Sequence, residues 1–343
     1  MISGKTKATA GSEGGARRPV CALLTLVIPT KNRPDDLEAT IESVLSQTAL
    51  PLKVIVVDQS DSGESQSRVS TLFGRQAGSG ASVPSLLYIR DPTIPGLTAA
   101  RNRALKEVAE QIVLFLDDDV LLEPRFIEEI LAVYEEHPEA CGVGGIVTNY
   151  TPPPLAFRCW TRLFVLPPFW DDRQPIYWGA GRLGDGRAVR VTRLGGGLMS
   201  FRLGSIRGME FDEGLRGACD GEDVEFCARF QPGSVLLIAP RARLVHKQTP
   251  VSRSAGHWLP RHARTFSYLY RRNWRRRIRY RLAFCWLTVG YGVATAAISL
   301  RRASLRPWRE ASEVLRSPRP RVTAAPGPSL GQECGPCEGK DRG

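Results

Sequence analysis

The stretch IVLFLDDDVLLEP, Ile112 to Pro124, decides how this chain is read. Five apolar residues run into Asp117, Asp118 and Asp119, and the chain turns apolar again before Glu123 and Pro124. A short, unbroken apolar run reads as a strand covered on both faces, as in a parallel sheet. Carboxylates this close repel one another, and burial raises the cost of their charge. Two arrangements relieve that cost: a turn open to solvent, or a divalent cation shared by the acids through their oxygens.

Working outward, strands and helices alternate. Cys21 to Pro29 (CALLTLVIP) and Leu52 to Asp58 (LKVIVVD) are two more apolar runs, and Pro84 to Asp91 is a weaker strand. A helix opens at Pro34 and Asp35, where proline and acid suit a helix start, and places Leu37, Ile41, Val44 and Leu45 on one face. The segments 96–110 and 124–138 read as further helices, the second with a proline at each end. This alternation predicts an α/β fold with a mostly parallel, Rossmann-like sheet flanked by helices. Such sheets bind ligands beyond the carboxyl ends of their strands. Pro29, Asp58 and the aspartate triplet are therefore expected along one edge.

Downstream, ACGVGGIVTNY is another strand, and residues 151–181 form an irregular, proline- and aromatic-rich excursion with short elements. Its Trp160, Phe169, Trp170 and Trp178 suit a core, a ligand platform or a membrane surface equally. AVRVTRLGGGLMSFR reads as two short strands around Gly195, Gly196 and Gly197, where missing side chains permit close backbone approach. A helix is expected near Gly221 and Glu222, followed by β-like segments at Ser234 to Pro240 and at ARLVHK.

The 343 residues carry 47 Lys plus Arg against 35 Asp plus Glu, a net charge of +12, with globular proportions of apolar (42%) and charged (24%) residues. The excess is concentrated in RRNWRRRIRYR, Arg271 to Arg281, beside the uncharged run Leu282 to Leu300. That run just reaches bilayer-spanning length. A buried helix, a helix lying in the membrane plane and a single span all remain open. A polybasic segment beside an apolar one fits an anionic membrane surface. The same arginines do not alternate with aromatic strand positions, which argues against nucleic acid. The cysteines, such as Cys21, Cys141, Cys159 and Cys227, are mostly scattered and read as free thiols of a reducing compartment. The lone pair Cys334 and Cys337 lacks the second half of a zinc site. The expected organisation is a disordered leader (1–20), a catalytic body (21–255), a basic juxtamembrane segment with a membrane-associating helix (256–300) and a disordered tail (301–343).

On the residues alone, Asp58, Asp117 to Asp119, Glu222 and Asp223 could converge on a cation that holds a diphosphate. Lys31 and Arg101 would add positive charge, and a separate acid would serve as general base.

LTLVIPTKNRPDDLEATIESVLSQ, VIVVDQSDSG, GLTAARNRAL, IVLFLDDDVLLEP, GGGLMSFR, FDEGLRGACDGEDVEFCAR and APRARLVHK, in this order, resemble the family 2 glycosyltransferases over Leu24 to Lys247. The resemblance implies a GT-A fold and inverting, metal-dependent transfer of a sugar from a nucleotide-sugar donor to an acceptor hydroxyl. It implies that Pro29, Thr30 and Lys31 border the nucleotide and that Asp58 accepts from its base. Arg101 and Asn102 would lie near the donor, and Asp118 near the ribose or sugar. Asp117 and Asp119 would hold Mg²⁺ or Mn²⁺, assisted by His246. Asp223 resembles the catalytic base, with Glu222 as its rival. Gln59 stands where relatives often carry a second acid, with Asp61 as a possible substitute, and no Gln-Arg-Trp signature of processive synthases is present. The acceptor is expected to be a lipid-linked sugar or cell-envelope glycan, with the protein peripheral or single-span on the cytoplasmic side of the membrane. The rival readings are an inactive nucleotide-sugar-binding or scaffolding protein, and a pyrophosphorylase. PTKNRPDD after the first strand lacks the Gly-rich phosphate loop of the latter.

Overall fold

A computed structural model describes residues 20–178, 186–215, 221–248 and 258–309. All of the expected leader (1–20) but Val20, which opens the first strand, most of the tail (310 onward) and the Cys334–Cys337 pair lie outside the described residues.

The first half builds the predicted nucleotide-type layer. Strands β1 (Val20–Thr30), β2 (Leu50–Asp58), β3 (Ser85–Arg90) and β4 (Ile112–Leu116) are joined by helices α1 (Pro34–Leu45), α2 (Glu64–Gly78) and α3 (Leu97–Leu105). They lie in the order β3-β2-β1-β4, all parallel. Alternate residues of each strand point to opposite faces. Leu24, Leu26 and Ile28 pack with Leu37, Ile41 and Val44 on one side. Val27, Ile55 and Phe115 pack with Ala100 and Ala104 on the other. The runs are continuously apolar because both faces are covered. α3 stops at Leu105, short of the expected Glu110, whose carboxylate accepts from the Thr25 hydroxyl and so turns the chain back towards β4.

The second half is mixed. A three-residue strand β5 (Val120–Leu122), helix α4 (Phe126–Glu136) and strand β6 (Ala140–Val147) follow. The excursion contains helices α5 (Leu155–Phe164) and α6 (Gln174–Trp178). Then come β7 (Val189–Val191), β8 (Leu198–Arg202), helix α7 (Glu222–Ala228) and β9 (Val235–His246). β8 runs antiparallel to β4 and β6, while β9 runs parallel to β6 and antiparallel to β5 and β7. The two late β segments are thus one long strand. Pro240, which has no N–H to donate, lies where its register with β6 shifts, between the Gly144–Ile238 and Ile146–Arg243 pairs.

The chain closes with α8 (Trp258–Leu269), a π-helical turn (Tyr270–Trp274) and α9 (Ile278–Arg302). A helical turn at residues 306–309 falls within the stretch expected as tail. Phe169, Val224, Phe266, Leu269, Trp274 and Leu287 make a third core cluster, separate from the two sheet faces. The aromatic excursion therefore serves mainly as core, packed under the C-terminal helices.

Candidate active site

The aspartate triplet follows β4, and its neighbours show that it is no open surface turn. Asp118 and Asp119 are 6% and 4% exposed. Thr30, at the end of β1, donates its hydroxyl to Asp118 Oδ2 at 2.7 Å. Arg33, in the turn before α1, sits 2.7 Å from Asp118 Oδ1 and 3.3 Å from Asp119 Oδ2. Burial, reinforced by the adjacent Asp119 charge, still pushes Asp118 up to about 6 against the pull of Thr30 and Arg33. Arg33 was missed from the sequence, where Lys31 looked the better cation. Lys31 is exposed, and Arg33 is the residue that meets the acids.

β5 completes the cluster. Its register sets Val120 opposite His246, and Lys247 N–H donates to the Asp119 carbonyl at 2.9 Å. This carries His246 Nε2 to 2.9 Å from Asp119 Oδ1 and 4.0 Å from Asp117 Oδ2. Ligand atoms of Asp117, Asp119 and His246 lie within 4.8 Å of one another. Two carboxylates and one imidazole converging at this spacing fit a divalent cation that prefers oxygen and tolerates nitrogen.

A second pair of acids faces the first across the β8 turn. Arg101 in α3 is fully buried. It bonds Glu222 Oε1 (3.0 Å), Asp117 Oδ1 (3.3 Å) and the Gly196 carbonyl (2.7 Å). Its guanidinium lies 5.3 Å from the Phe211 ring centre. Arg101 therefore faces the acids of the cleft and not solvent. Burial and the like charge of Asp223 push Glu222 up to about 7, outweighing Arg101. Asp223 Oδ2 instead meets Arg173, 2.8 Å away, while its Oδ1 accepts from Val224 N–H. Arg173 also grips both oxygens of Asp171 at 2.9 Å. Burial opposes the ionisation of Asp171, but Arg173 overrides it and holds the acid at about 2.

The glycine triplet explains itself here. A Cβ on Gly196 would stand 2.5 Å from Glu222 Oε1, and one on Gly197 would overlap the Asp117 carboxylate. Backbone without side chains lets the two acid pairs share one cleft. That cleft has a volume of about 540 Å³ and is lined by Asp117, His246, Glu222 and Asp223 on one side. Phe157 and Thr161 of α5 and His262 and Phe266 of α8 form the facing wall. The Tyr177 hydroxyl is buried on the same lining with no hydrogen-bond partner among the described residues. Arg173, Asp171 and Tyr177 carried no signal in the sequence, because they lie in the irregular excursion.

Other expected residues sit elsewhere. Asp58 is fully buried, accepting from Ser60 N–H and the Tyr88 hydroxyl. Its carboxylate caps the turn after β2 in this structure. Pro29 is buried and pairs with Val57, beside the Thr30–Asp58 pair. Gln59 accepts from Gly96 N–H at the start of α3, while Asp61 is exposed. Asn102 is not brought to the cleft. It donates to the Phe211 carbonyl and accepts from Phe211 N–H, clamping that loop to α3.

Residues 25–190 match the family model "Glycosyl transferase family 2". That match spans just under half of the chain and takes in the parallel half-sheet and the aspartate triplet. It is 27% identical over 232 residues to a glucosyl-dolichyl phosphate glucuronosyltransferase of Haloferax volcanii, covering 63% of this chain and 65% of that protein. It is 31% identical over 116 residues to an uncharacterized glycosyltransferase of Haemophilus influenzae, covering 34% of this chain and 36% of that protein. The chain thus spans less than two thirds of the length of either relative. The mannosyltransferase PcManGT from Pyrobaculum calidifontis, solved with GDP-Man and Mn²⁺, shares the fold. Its TM-score is 0.51 at 17% identity, over 88% of this chain and 81% of that one.

Proposed function

We propose that this protein transfers a sugar from a nucleotide-sugar donor to an acceptor hydroxyl, with inversion, using Mg²⁺ or Mn²⁺. The observation that carries the reading is the convergence of Asp117, Asp119 and His246 at one end of a cleft that also holds Glu222 and Asp223. A divalent cation held by those three residues would supply charge compensation for the leaving diphosphate. Asp118, held by Thr30 and Arg33 beside the cation cluster, would lie near the ribose or sugar, and Pro29, Thr30 and Lys31 would border the nucleotide. Arg101 is a positioning residue that fixes Asp117 and Glu222 relative to each other, and Asn102 supports the helix that carries it. Asp58 would accept from the base beside the bonds it already takes from Ser60 N–H and the Tyr88 hydroxyl.

The acceptor oxygen attacks the anomeric carbon from the face opposite the diphosphate. The new C–O bond forms as the bond to the diphosphate oxygen breaks, and Asp223 takes the hydroxyl proton. Arg173 holds Asp223 in place, its guanidinium 2.8 Å from Oδ2. Glu222 is paired through Arg101 to the donor side, which favours Asp223 as the base. One displacement inverts the centre and needs no protein nucleophile.

The name of the Haloferax relative supports a sugar carried on a lipid phosphate as acceptor, and a cell-envelope glycan is the broader class. Among the described residues, one helix, residues 278–301, is long and apolar enough to cross a membrane. The proposed location is the cytoplasmic face of the membrane. A panel of nucleotide sugars with Mn²⁺ or Mg²⁺ tests the reaction: wild type releases nucleoside diphosphate from at least one donor, and Asp223→Asn loses transfer. Folded wild-type protein that neither hydrolyses nor transfers from any donor sinks the enzyme reading in favour of a binding or scaffolding role.

A further inference from the structure

α9 is built the wrong way round for a surface helix in water, whose outer face is normally polar. Its inner side is Ala283, Leu287, Gly290, Thr295 and Ser299. Its outer side carries Ile278, Leu282, Trp286, Val289, Val293 and Leu300, each between 41% and 83% exposed. No charged residue interrupts the helix between Arg281 and Arg301. The apolar face continues onto α5, because Trp286 Nε1 donates to the Leu163 carbonyl at 2.8 Å, and Leu163 and Leu166 are 58% and 42% exposed. A contiguous apolar face of this extent marks an interaction surface.

The charge around it specifies the partner. Residues 258–309 contain thirteen arginines and neither Asp nor Glu. Arg271, Arg275, Arg276, Arg279 and Arg281 are exposed at one end of the apolar face, and Arg301 at the other. Apolar side chains between arginine clusters match a lipid surface with anionic headgroups.

The packing decides the orientation. The middle of α9 is seated on α5. Trp160 Nε1 donates to the Gly290 carbonyl at 2.9 Å, and Phe164 lies so close that a Cβ on Gly290 would stand 2.5 Å from it. A helix crossing a bilayer has its middle in hydrocarbon or among other spanning helices. Here the middle rests on a helix that exposes Arg158 and Arg162 and belongs to the catalytic body.

We propose that α9 lies in the plane of an anionic lipid surface and does not cross it, so that the outer faces of α9 and α5 dock the cleft onto the membrane. α5 and the two residues after it contribute Phe157, Thr161 and Val165 to the cleft wall while presenting Leu163 and Leu166 to the lipid. A sugar on a lipid carrier then reaches the cleft without leaving the interface. That last step rests on the lipid-linked acceptor reading above, whereas docking itself is tested by binding and does not depend on turnover.

The test uses the full chain with a C-terminal epitope tag. The wild type should float with vesicles of phosphatidylcholine mixed with phosphatidylglycerol and much less with phosphatidylcholine alone. Leu282→Glu with Val289→Glu, neither in the cleft, should cut flotation about tenfold or more. The thermal midpoint should stay near that of the wild type, showing that the variant folds. When protease is added to one face of the loaded vesicles, both the tag and the catalytic body should be cut. Protection of the tag while the body is digested means that α9 crosses the bilayer and overturns the proposal. So does flotation that the glutamates leave unchanged. Lipid-independent dimerisation that they abolish, without vesicle binding, assigns the face to a second copy of the chain instead.

Discussion

The two walls of the cleft are built by opposite means. The first wall is made of charged side chains delivered by the end of β4 and the start of α7, each held by directional bonds: Asp118 by Thr30 and Arg33, Asp119 by His246, Glu222 by Arg101. The opposite wall is made of rings. Phe169 packs on Phe266, Trp274 and Phe284, and His262 lies 4.3 Å from Phe266, centre to centre. Buried charges demand partners at hydrogen-bond distance, and losing one leaves a full desolvation penalty. Apolar contacts are non-directional and tolerate substitutions of similar volume. In the proposed reaction the first wall would fix the chemistry, while the other could be reshaped to suit an acceptor.

The comparison can be broken most severely at the metal-type cluster. Asp119→Asn should lower kcat/KM by ~10³-fold or more, since it weakens charge compensation at the leaving group. Turnover should no longer respond to added Mn²⁺, and a variant that keeps metal-dependent activity would remove Asp119 from the cation site. Next, Asp223→Asn should lower kcat by about 10²–10³-fold, within the range of general-base catalysis. Donor affinity, measured by titration calorimetry, should be unchanged. If Glu222→Gln lowers kcat as far while Asp223→Asn does not, the roles of the two acids are exchanged.

Glu222 also predicts a pH effect on stability. Its ionisation in the folded protein is pushed up to about 7 from an ordinary value of 4.5 by burial and Asp223. The stability this contributes is fully present below the ordinary value and is lost as pH rises through about 7. Relative to wild type, Glu222→Gln should therefore gain stability from pH 5 to pH 8, by on the order of 2 kcal/mol. Urea melts at the two pH values measure it, and parallel shifts would show that Glu222 is ionised throughout. The smallest effect belongs to the ring wall. Phe266→Leu should cost about 1 kcal/mol of stability and change the acceptor KM, leaving metal-dependent donor hydrolysis alone. A loss of donor hydrolysis as well would mean that the two walls are not independent.

Much of the first wall was legible because its signals are local. The apolar run before Asp117 and the proline-led start of α1 act on near neighbours in the chain, whereas the glycine triplet was legible as small residues but not as the place where Asp117 and Glu222 meet. Asp58 and Asn102 were legible as polar residues at the right edge, but not as residues already engaged by Tyr88 and by Phe211. The aromatic excursion was readable only as irregular. Arg173 and Tyr177 became site residues because α6 folds against the β8 turn, which no periodicity announces.

By itself the sequence determined the alternation of strands and helices in the first half, the delivery of three acids to a strand end, and a long apolar helix with arginines at its margins. These follow from side-chain period, helix-start chemistry and charge clustering, which operate over a few residues. Only the tertiary structure decided that His246 meets Asp119, that Arg33 and not Lys31 touches the triplet, and that Arg101 is buried between two acids. It also decided that α9 rests its middle on the catalytic body. Each of these depends on the register or packing of segments far apart in the chain, and that is fixed by closing the whole core. IVLFLDDD carries the charge to the right place, but the partners that make that charge tolerable come from four other parts of the fold.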